Sequence, residues 1–479
     1  MKKNTTLKLG VFILLFSVNG FAQCISNISS GLYHNLALKP NGNLFSWGNG
    51  AAGTQACGLD NNDVDALEVT QVGTDSNWIK IFAGTFNSFA IKNDNTLWAC
   101  GTNNEGELGN GSFGLGTVSR TFSQIGTLNN WKTISTNSDY TLALKTNGTI
   151  WSCGINTEGQ LGDGTTISRR SFVQIGNATN WKEIGSIIKT GYGIKTDGSL
   201  WSWGLNGGGG YLGIDDLSVI QRASPGIVGT DSDWKNIFGG PTTVHVLLLK
   251  TNGKLFVVGG SWSSGQGANG LGFGVSCNLP TQIGSDSNWS TATCGYNNSF
   301  AIKTNGTLWA WGQNDLGQLG DGTTIDRGFP IQIGTATNWA SVSAGYGHTI
   351  ATKTDGSLWS WGDGSLGQQA VGSYTSSLVP VQINVPGCVL ETKSFSLVND
   401  KINIAPNPAK NSTNITFSNT TTPPLLEIYS VLGKLITSYQ AANNSDVWQL
   451  DTSNLSSGLY IVVLKEDNQI MMQKKLVIE

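Results

Sequence analysis

At 479 residues, with a net charge of −3 and only 12% of residues charged, the chain exceeds one small core and lacks the charge density of a disordered protein. That balance leaves no basic face for nucleic acid or anionic lipid, so binding driven by phosphate neutralisation is disfavoured. Glycine (64 residues) and tryptophan (17 residues) are heavily used, as in an all-β repeat protein built from turns and stacked aromatics.

The N-terminus carries Lys2, Lys3 and Lys8, an apolar run from Val11 to Phe16, and Gly20-Phe21-Ala22 before Gln23. This order predicts a secretory signal over residues 1–22, cleaved between Ala22 and Gln23. The run is too short to span a bilayer comfortably, so no stable transmembrane segment is expected. All seven cysteines follow the cut and would face an oxidising compartment on export through the periplasm. Their spacing shows no zinc pattern, and Cys100 and Cys153 occupy a slot that other copies fill with tryptophan.

Residues 23–390 repeat themselves. The stretch from Lys303 to Thr324, KTNGTLWAWGQNDLGQLGDGTT, recurs so that equivalent glycines fall at Gly48, Gly101, Gly154, Gly204, Gly259, Gly312 and Gly362. Seven copies about fifty residues apart indicate a propeller or solenoid. The last copy predicts strands beginning at Trp339, His348, Leu358 and Pro380, and Asp355-Gly356 supplies the two-residue hairpin turn. Four strands in each of seven units give the expected fold: all-β, a seven-bladed β-propeller followed by a small C-terminal β-sandwich domain.

Fifteen of the 17 tryptophans keep a fixed place in the repeat, which assigns them to packing. His34, His245 and His348 share one slot with Asn87, Tyr140, Thr190 and Asn298. A slot so filled is a structural hydrogen-bonding position, and no metal or catalytic role is expected of it.

The run of Gly, a small residue, His, Leu-Ala-Leu-Lys, Asp/Asn-Gly, Leu-Trp-x-Trp-Gly and Gly-Gln-Leu-Gly resembles the repeat of the regulator of chromosome condensation family. The resemblance covers roughly residues 24 to 390; it is specific in the copies ending near Gly162 and Gly320 and weaker in the first, fourth and fifth. It implies a seven-bladed propeller without chemistry of its own, whose relatives bind small GTPases, histones or, among secreted bacterial members, β-lactamases.

A propeller must join its last blade to its first. Cys24 and Cys388 fall in the same repeat slot, one at each end of a unit expected to be split between the chain ends. That predicts a disulfide fastening the ring; two unrelated thiols are the alternative. Binding is expected in loops that depart from Gly-Gln-Leu-Gly, where Tyr211, Trp262 and Phe273 are the candidate contacts. Trp262 has the alternative of covering its own blade. Asp163-Gly164-Thr165-Thr166 and Asp321-Gly322-Thr323-Thr324 imitate calcium loops but fix one carboxylate per copy, which reads as a turn. Gly207 to Gly210 lacks the lysine of a phosphate loop, and no nucleophile elbow or paired acids stand out.

Residues 391–400 read as a linker and residues 401–479 as a second all-β unit of seven strands. Pro406-Asn407-Pro408, Ile428-Tyr429 with Gly433-Lys434, Gly458-Leu459-Tyr460 and Lys474-Lys475 resemble the C-terminal sorting domain of the type IX secretion system of Bacteroidetes. The resemblance implies recognition by an outer-membrane translocon and removal by a surface sorting protease. A carbohydrate-binding sandwich is the rival, for which the lone Trp448 makes no platform.

The chain therefore reads as a secreted or outer-surface, non-enzymatic scaffold for an extracellular protein or glycan, needing no cofactor, metal or nucleic acid. The alternative is a secreted hydrolase or hydrolase inhibitor on the same propeller. The mouth of the central channel separates them: clustered carboxylates favour hydrolysis, bare backbone and aromatic loops favour binding. A cytosolic exchange-factor role is disfavoured by the export signal.

Overall fold

The structure is a computed structural model that describes the chain except residues 1–23, 51–55, 60–63, 208, 242, 261–265, 389–401, 418–421, 431–434, 444–445 and 467–468. The chain divides into two compact units at Leu390 and Glu391. Among the described residues, the first unit holds seven four-stranded antiparallel sheets in chain order. Blade 1 consists of Asn27–Ser30, His34–Leu38, Leu44–Gly48 and Ala66–Gln71. Blades 2 to 7 span residues 78–124, 131–174, 181–228, 234–282, 289–332 and 339–383.

Each strand's composition follows its depth. Second strands such as Tyr140–Lys145 are buried along their whole length, because both faces of the sheet pack on neighbouring blades, and so they read as apolar runs without alternation. Fourth strands such as Ser377–Ile383 lie largely exposed on the rim and mix polar with apolar residues. The second-to-third turn is set locally: Asp355 Oδ1 accepts from the Ser357 backbone N–H (2.9 Å) and Oγ (2.6 Å), and Ser357 Oγ accepts from Trp359 Nε1 (2.8 Å). This chain of bonds explains why Asp/Asn-Gly-Ser/Thr precedes Leu-Trp in so many copies. Behind it, Lys353 Nζ lies 3.8 Å from the ring of Trp359 and 4.6 Å from that of Trp339, a cation between two indoles.

Blades are joined by one recurring contact. Trp361 Nε1 donates to the Gln318 carbonyl of blade 6 (2.8 Å), Trp203 Nε1 to Gln160 of blade 3 (3.0 Å), and Trp47 Nε1 to Gln368 of blade 7 (2.9 Å). In blade 3 the Cys153 thiol makes the equivalent bond to the Glu107 carbonyl at 3.4 Å. Gly320 lies beneath the next indole: its φ is 77°, and a Cβ there would stand 2.7 Å from Trp361 Nε1. Any larger residue would force the blades apart.

The Trp47 bond closes the ring, together with Ser30 N–H on Ser343 Oγ at 2.8 Å and His348 Nε2 against Asn35 Oδ1 at 2.9 Å. The expectation of a split unit is corrected here. Asn27–Ser30 pairs with His34–Leu38 of its own blade, so no blade is shared between the chain ends, and closure is by packing of blade 7 on blade 1.

The histidine slot is a second link between blades. Ser88 Oγ donates to the Ala56 carbonyl at 2.6 Å, so its oxygen accepts from His34 Nε2 at 2.8 Å. His245 and Ser299 repeat the arrangement at 2.7 Å between blades 5 and 6. Burial lowers His34 to about 3 and His245 and His348 to about 4. A second proton would sit on Nδ1, which in His245 and His348 is buried without an acceptor.

The second unit is two sheets, one of three strands and one of four, around a core that includes Ile415, Phe417, Leu426, Ile428, Val462 and Leu476. Asn407 stitches it: its amide donates to the Lys475 carbonyl (2.8 Å) and its Oδ1 accepts from the Val477 N–H (2.9 Å). Tyr460 donates to the Ser456 carbonyl at 3.0 Å. Gly433 and Lys434 lie outside the described residues.

Two outcomes are expected. Trp361→Ala removes a side chain with no exposed surface, and equilibrium denaturation should show a loss of about 3–5 kcal/mol. The lowered histidine values mean that the unfolded chain binds protons the folded chain refuses, so stability falls as pH drops below about 6.5 toward the folded values. Replacing His34, His245 and His348 together by Asn, the residue that blades 2 and 6 use in this slot, should flatten the change in denaturation midpoint between pH 7 and pH 5. An unchanged slope would exclude the histidines as its source.

Candidate functional site

The first strands of the seven blades line the central channel. Toward the end leading into the second strands, a cavity of about 170 Å³ is walled by Ser29, Ser30, Ser135, Thr136, Ser186 and Ser343 among others, and no carboxylate lines it. These hydroxyls serve neighbouring blades: Ser29 Oγ accepts from the Ala83 N–H at 2.9 Å, and Ser135 and Ser186 meet at 2.8 Å. They are spent on holding the ring and present no activated nucleophile.

The loops after these strands form the mouth. Tyr296 lies there in blade 6, Tyr346 in blade 7, Tyr33 in blade 1 and Phe86 in blade 2. Their centroids are 4.8 Å apart for Tyr296 and Tyr346, 5.8 Å for Tyr346 and Tyr33, and 6.5 Å for Tyr33 and Phe86. Each ring is tilted on the next by between 40° and 57°, so together they curve as a wall, and all four are partly exposed. Backbone bonds fix its spacing: Tyr296 N–H donates to the Gly345 carbonyl (3.3 Å) and Tyr346 N–H to the Leu32 carbonyl (3.1 Å). Gly345 permits this approach, since a Cβ there would lie 2.6 Å from the Gly31 carbonyl oxygen.

Carboxylates border the wall. Asp363 is tied to the Tyr346 loop by its N–H on the Gly347 carbonyl at 2.8 Å. Burial, the Tyr346 phenol and the Asp363 carboxylate all raise Tyr33 above the ordinary tyrosine range. Asp315 accepts from Gln313 Nε2 at 2.9 Å, and Gln313 Oε1 accepts from Asn297 Nδ2 at 3.3 Å. In the adjoining blade 3 loop, burial and the nearby Glu105 raise Asp139, against the pull of Lys189.

The candidates picked from the sequence are scattered. Tyr211 is corrected: it is only 3% exposed, packed with Tyr192 and Val258 in the core shared by blades 4 and 5, and its carbonyl accepts the Tyr192 hydroxyl. Its side chain is unavailable to a partner; the glycines around it gave the look of an open loop while the ring fills space beneath them. Trp262 lies outside the described residues. Phe273 is 57% exposed on the outer rim, beside Gly328 and close to Phe329 of blade 6. Cys24 and Cys388 have side chains in hydrogen-bonding contact, and burial and that bond push the Cys388 thiol up to about 12. Ala22 and Gln23 lie outside the described residues.

The aspartates of the imitation calcium loops are occupied. Asp321 Oδ1 accepts from Thr323 N–H (3.0 Å) and Oγ1 (2.7 Å), and Arg327 meets Oδ2 at 2.6 Å. Asp163 makes the same set with Thr165 and Arg169. Burial works against each carboxylate, but the threonine and arginine bonds outweigh it and hold both below the usual range. The aromatic wall was missed because its members occupy two different loop positions. The available signal was an aromatic residue in the short first-to-second-strand loop of four blades, Tyr33, Phe86, Tyr296 and Tyr346.

Comparison with known proteins bears on the whole chain. The Regulator of chromosome condensation (RCC1) repeat matches residues 305–352, and a second family of that description matches residues 25–54, 78–107, 131–160, 290–318 and 339–368. These stretches omit blades 4 and 5, whose post-glycine loops depart from the pattern, and include blade 1. Residues 403–479 match the Secretion system C-terminal sorting domain. Protein RCC2 homolog of Danio rerio is 37% identical over 96 residues, 19% of this chain and 18% of that protein's length. Human WBSCR16 superposes with a TM-score of 0.61 at 20% identity, over 69% of this chain and 87% of that one. Prp20p of Saccharomyces cerevisiae, described with its binding to Gsp1p and histones, gives 0.59 at 20% identity over 68% and 82%. Identities at this level establish a shared fold. The chain is a regulator-of-chromosome-condensation-like repeat protein that ends in a type IX secretion C-terminal sorting domain.

Proposed function

We propose that this secreted propeller is a binding scaffold without catalysis of its own, recognising an extracellular protein or glycan through its loops at the cell surface or after release. The observation that carries the reading is the channel and its mouth together: a hydroxyl-lined cavity without acids beneath a mouth walled by four aromatic rings. The bordering Asp363 and Asp315 belong to separate blades, are each bonded to amide or hydroxyl donors, and do not line the cavity. Hydrolysis at an axis needs paired acids or an activated nucleophile, whereas partly exposed aromatics on a fixed backbone suit recognition. In this reading residues 1–22 direct export to the periplasm with cleavage between Ala22 and Gln23, and residues 391–400 link the propeller to residues 401–479. The sorting domain delivers the chain to the type IX translocon, and a surface protease removes it. Among the described residues no helix is long and apolar enough to cross a membrane.

The test is binding set against turnover. Purified mature chain should retain a surface-protein or glycan ligand saturably on an immobilised panel while releasing no product from chromogenic glycoside, ester and peptide substrates. Turnover that co-purifies with the chain and is lost on substituting a channel hydroxyl would replace the scaffold with a hydrolase.

The ring clasp belongs to the same proposal. The adjoining thiols of Cys24 and Cys388 would form a disulfide once in an oxidising compartment. The chain-entropy estimate for so long a loop is roughly 5–6 kcal/mol, as an upper limit. Peptide mapping of the secreted protein without reduction should yield one linked peptide containing both cysteines; separate peptides would remove the clasp.

A further inference from the structure

We propose that the channel mouth receives a cationic side chain, an arginine or lysine presented by an extracellular polypeptide, on the wall formed by Tyr296, Tyr346, Tyr33 and Phe86. The inference rests on the scaffold reading and chooses its ligand. Three observations lead to it.

The wall exists only in the closed ring. Blades 6, 7, 1 and 2 are consecutive in space because blade 7 packs on blade 1, and residues 33 and 346, at opposite ends of the propeller sequence, become neighbours 5.8 Å apart. Four aromatic faces on backbone already fixed by interblade bonds are preorganised, so little ordering is lost on binding. Aromatic faces carry negative quadrupolar charge and attract cations within about 6 Å.

The charge around the wall has one sign. Asp363 and Asp315 border it on blades 7 and 6, held by amide and hydroxyl donors: Asp363 Oδ2 accepts from Ser365 Oγ (2.9 Å) and Gln368 Nε2 (3.2 Å), and Asp315 from Gln318 Nε2 (3.1 Å). Asp139 lies in the adjoining blade 3 loop, whose Ser138 meets Thr85 of the Phe86 loop at 3.1 Å, with Glu105 of blade 2 near it. Lys189 is the one basic residue in the seven loops that join first to second strands, and it is paired with Glu158 at 3.3 Å. The mouth therefore offers aromatic faces beside Asp363 and Asp315, whose hydrogen-bond donors are neutral, and this complements a cation.

The same protein already uses this chemistry on its own cations. In blades 2 to 7 a lysine of the second strand lies against aromatic rings, as Lys145 Nζ does 3.5 Å from Trp151 and 4.6 Å from Trp131. Each of those sites is filled internally, whereas the mouth has the faces and the carboxylates without the lysine. A neutral sugar would also stack on the wall, but it would leave the carboxylate charge unanswered.

The experiment uses the full mature chain at 0.15 M salt with three probes: a hexa-arginine peptide, the uncharged hexacitrulline analogue, and neutral hexasaccharides of glucose and N-acetylglucosamine. Calorimetry should show saturable binding of hexa-arginine and at least tenfold weaker binding of the others. Tyr346→Ala and Asp363→Asn should each weaken hexa-arginine by about tenfold, while Tyr346→Phe and the fourth-strand rim variant Phe329→Ala should leave it unchanged. Matching far-ultraviolet spectra and melting temperatures show that the variants fold. Binding of hexa-arginine that ignores Tyr346→Ala would reduce the effect to diffuse attraction by acids and overturn the proposal. Tyrosine-dependent binding of a hexasaccharide, or equal binding of hexacitrulline, would overturn it while leaving the scaffold reading standing. Absence of binding to any probe, with a ligand still captured in the panel assay, would do the same.

Discussion

A blade of four strands has two apolar faces and no core of its own, so it is stable only between two others. In four of the blades the contact that sets this spacing is the hydrogen bond from the residue before the third-strand glycine to a carbonyl in the preceding blade's loop. Trp203, Trp361 and Trp47 donate an indole N–H, and Cys153 donates a thiol. The indole also fills the space over that loop's glycine, so one side chain supplies both the polar bond and the apolar burial of an interface. Because Trp47 reaches back to Gln368 of the last blade, the series has no free end.

That closure does more than stabilise. It fixes the positions of loops that have no fixed structure of their own, and it frees them to vary. The buried histidines illustrate the scaffold side: each holds a neighbouring blade through Nε2 and is kept neutral by burial. The mouth illustrates the other side, with aromatic and acidic residues at positions where the repeat makes no structural demand. The C-terminal unit follows a similar economy, since Asn407 of its recognition motif also pairs with the backbone of the last strand. Residues that mark the sorting domain in sequence are thus partly the residues that hold it together.

Much of this was legible in the sequence because the forces involved are local. Strand runs, Asp/Asn-Gly turns and the Ser/Thr that caps the following tryptophan depend on neighbours within a few residues, and their repetition seven times fixed the architecture. The shared slot of His, Asn, Tyr and Thr pointed to a structural hydrogen bond, which His34, Asn87, Tyr140, Thr190, His245 and His348 make and the Asn298 side chain does not. What the sequence could not give was which loop side chains end up exposed or adjacent. Tyr211, amid glycines, is buried because blades 4 and 5 close over it. The first strand belongs to its own blade, which no periodicity distinguishes from a shared one. Tyr33 and Tyr346 meet only when the ring shuts, since contact across so many residues is a property of closure and not of any local rule.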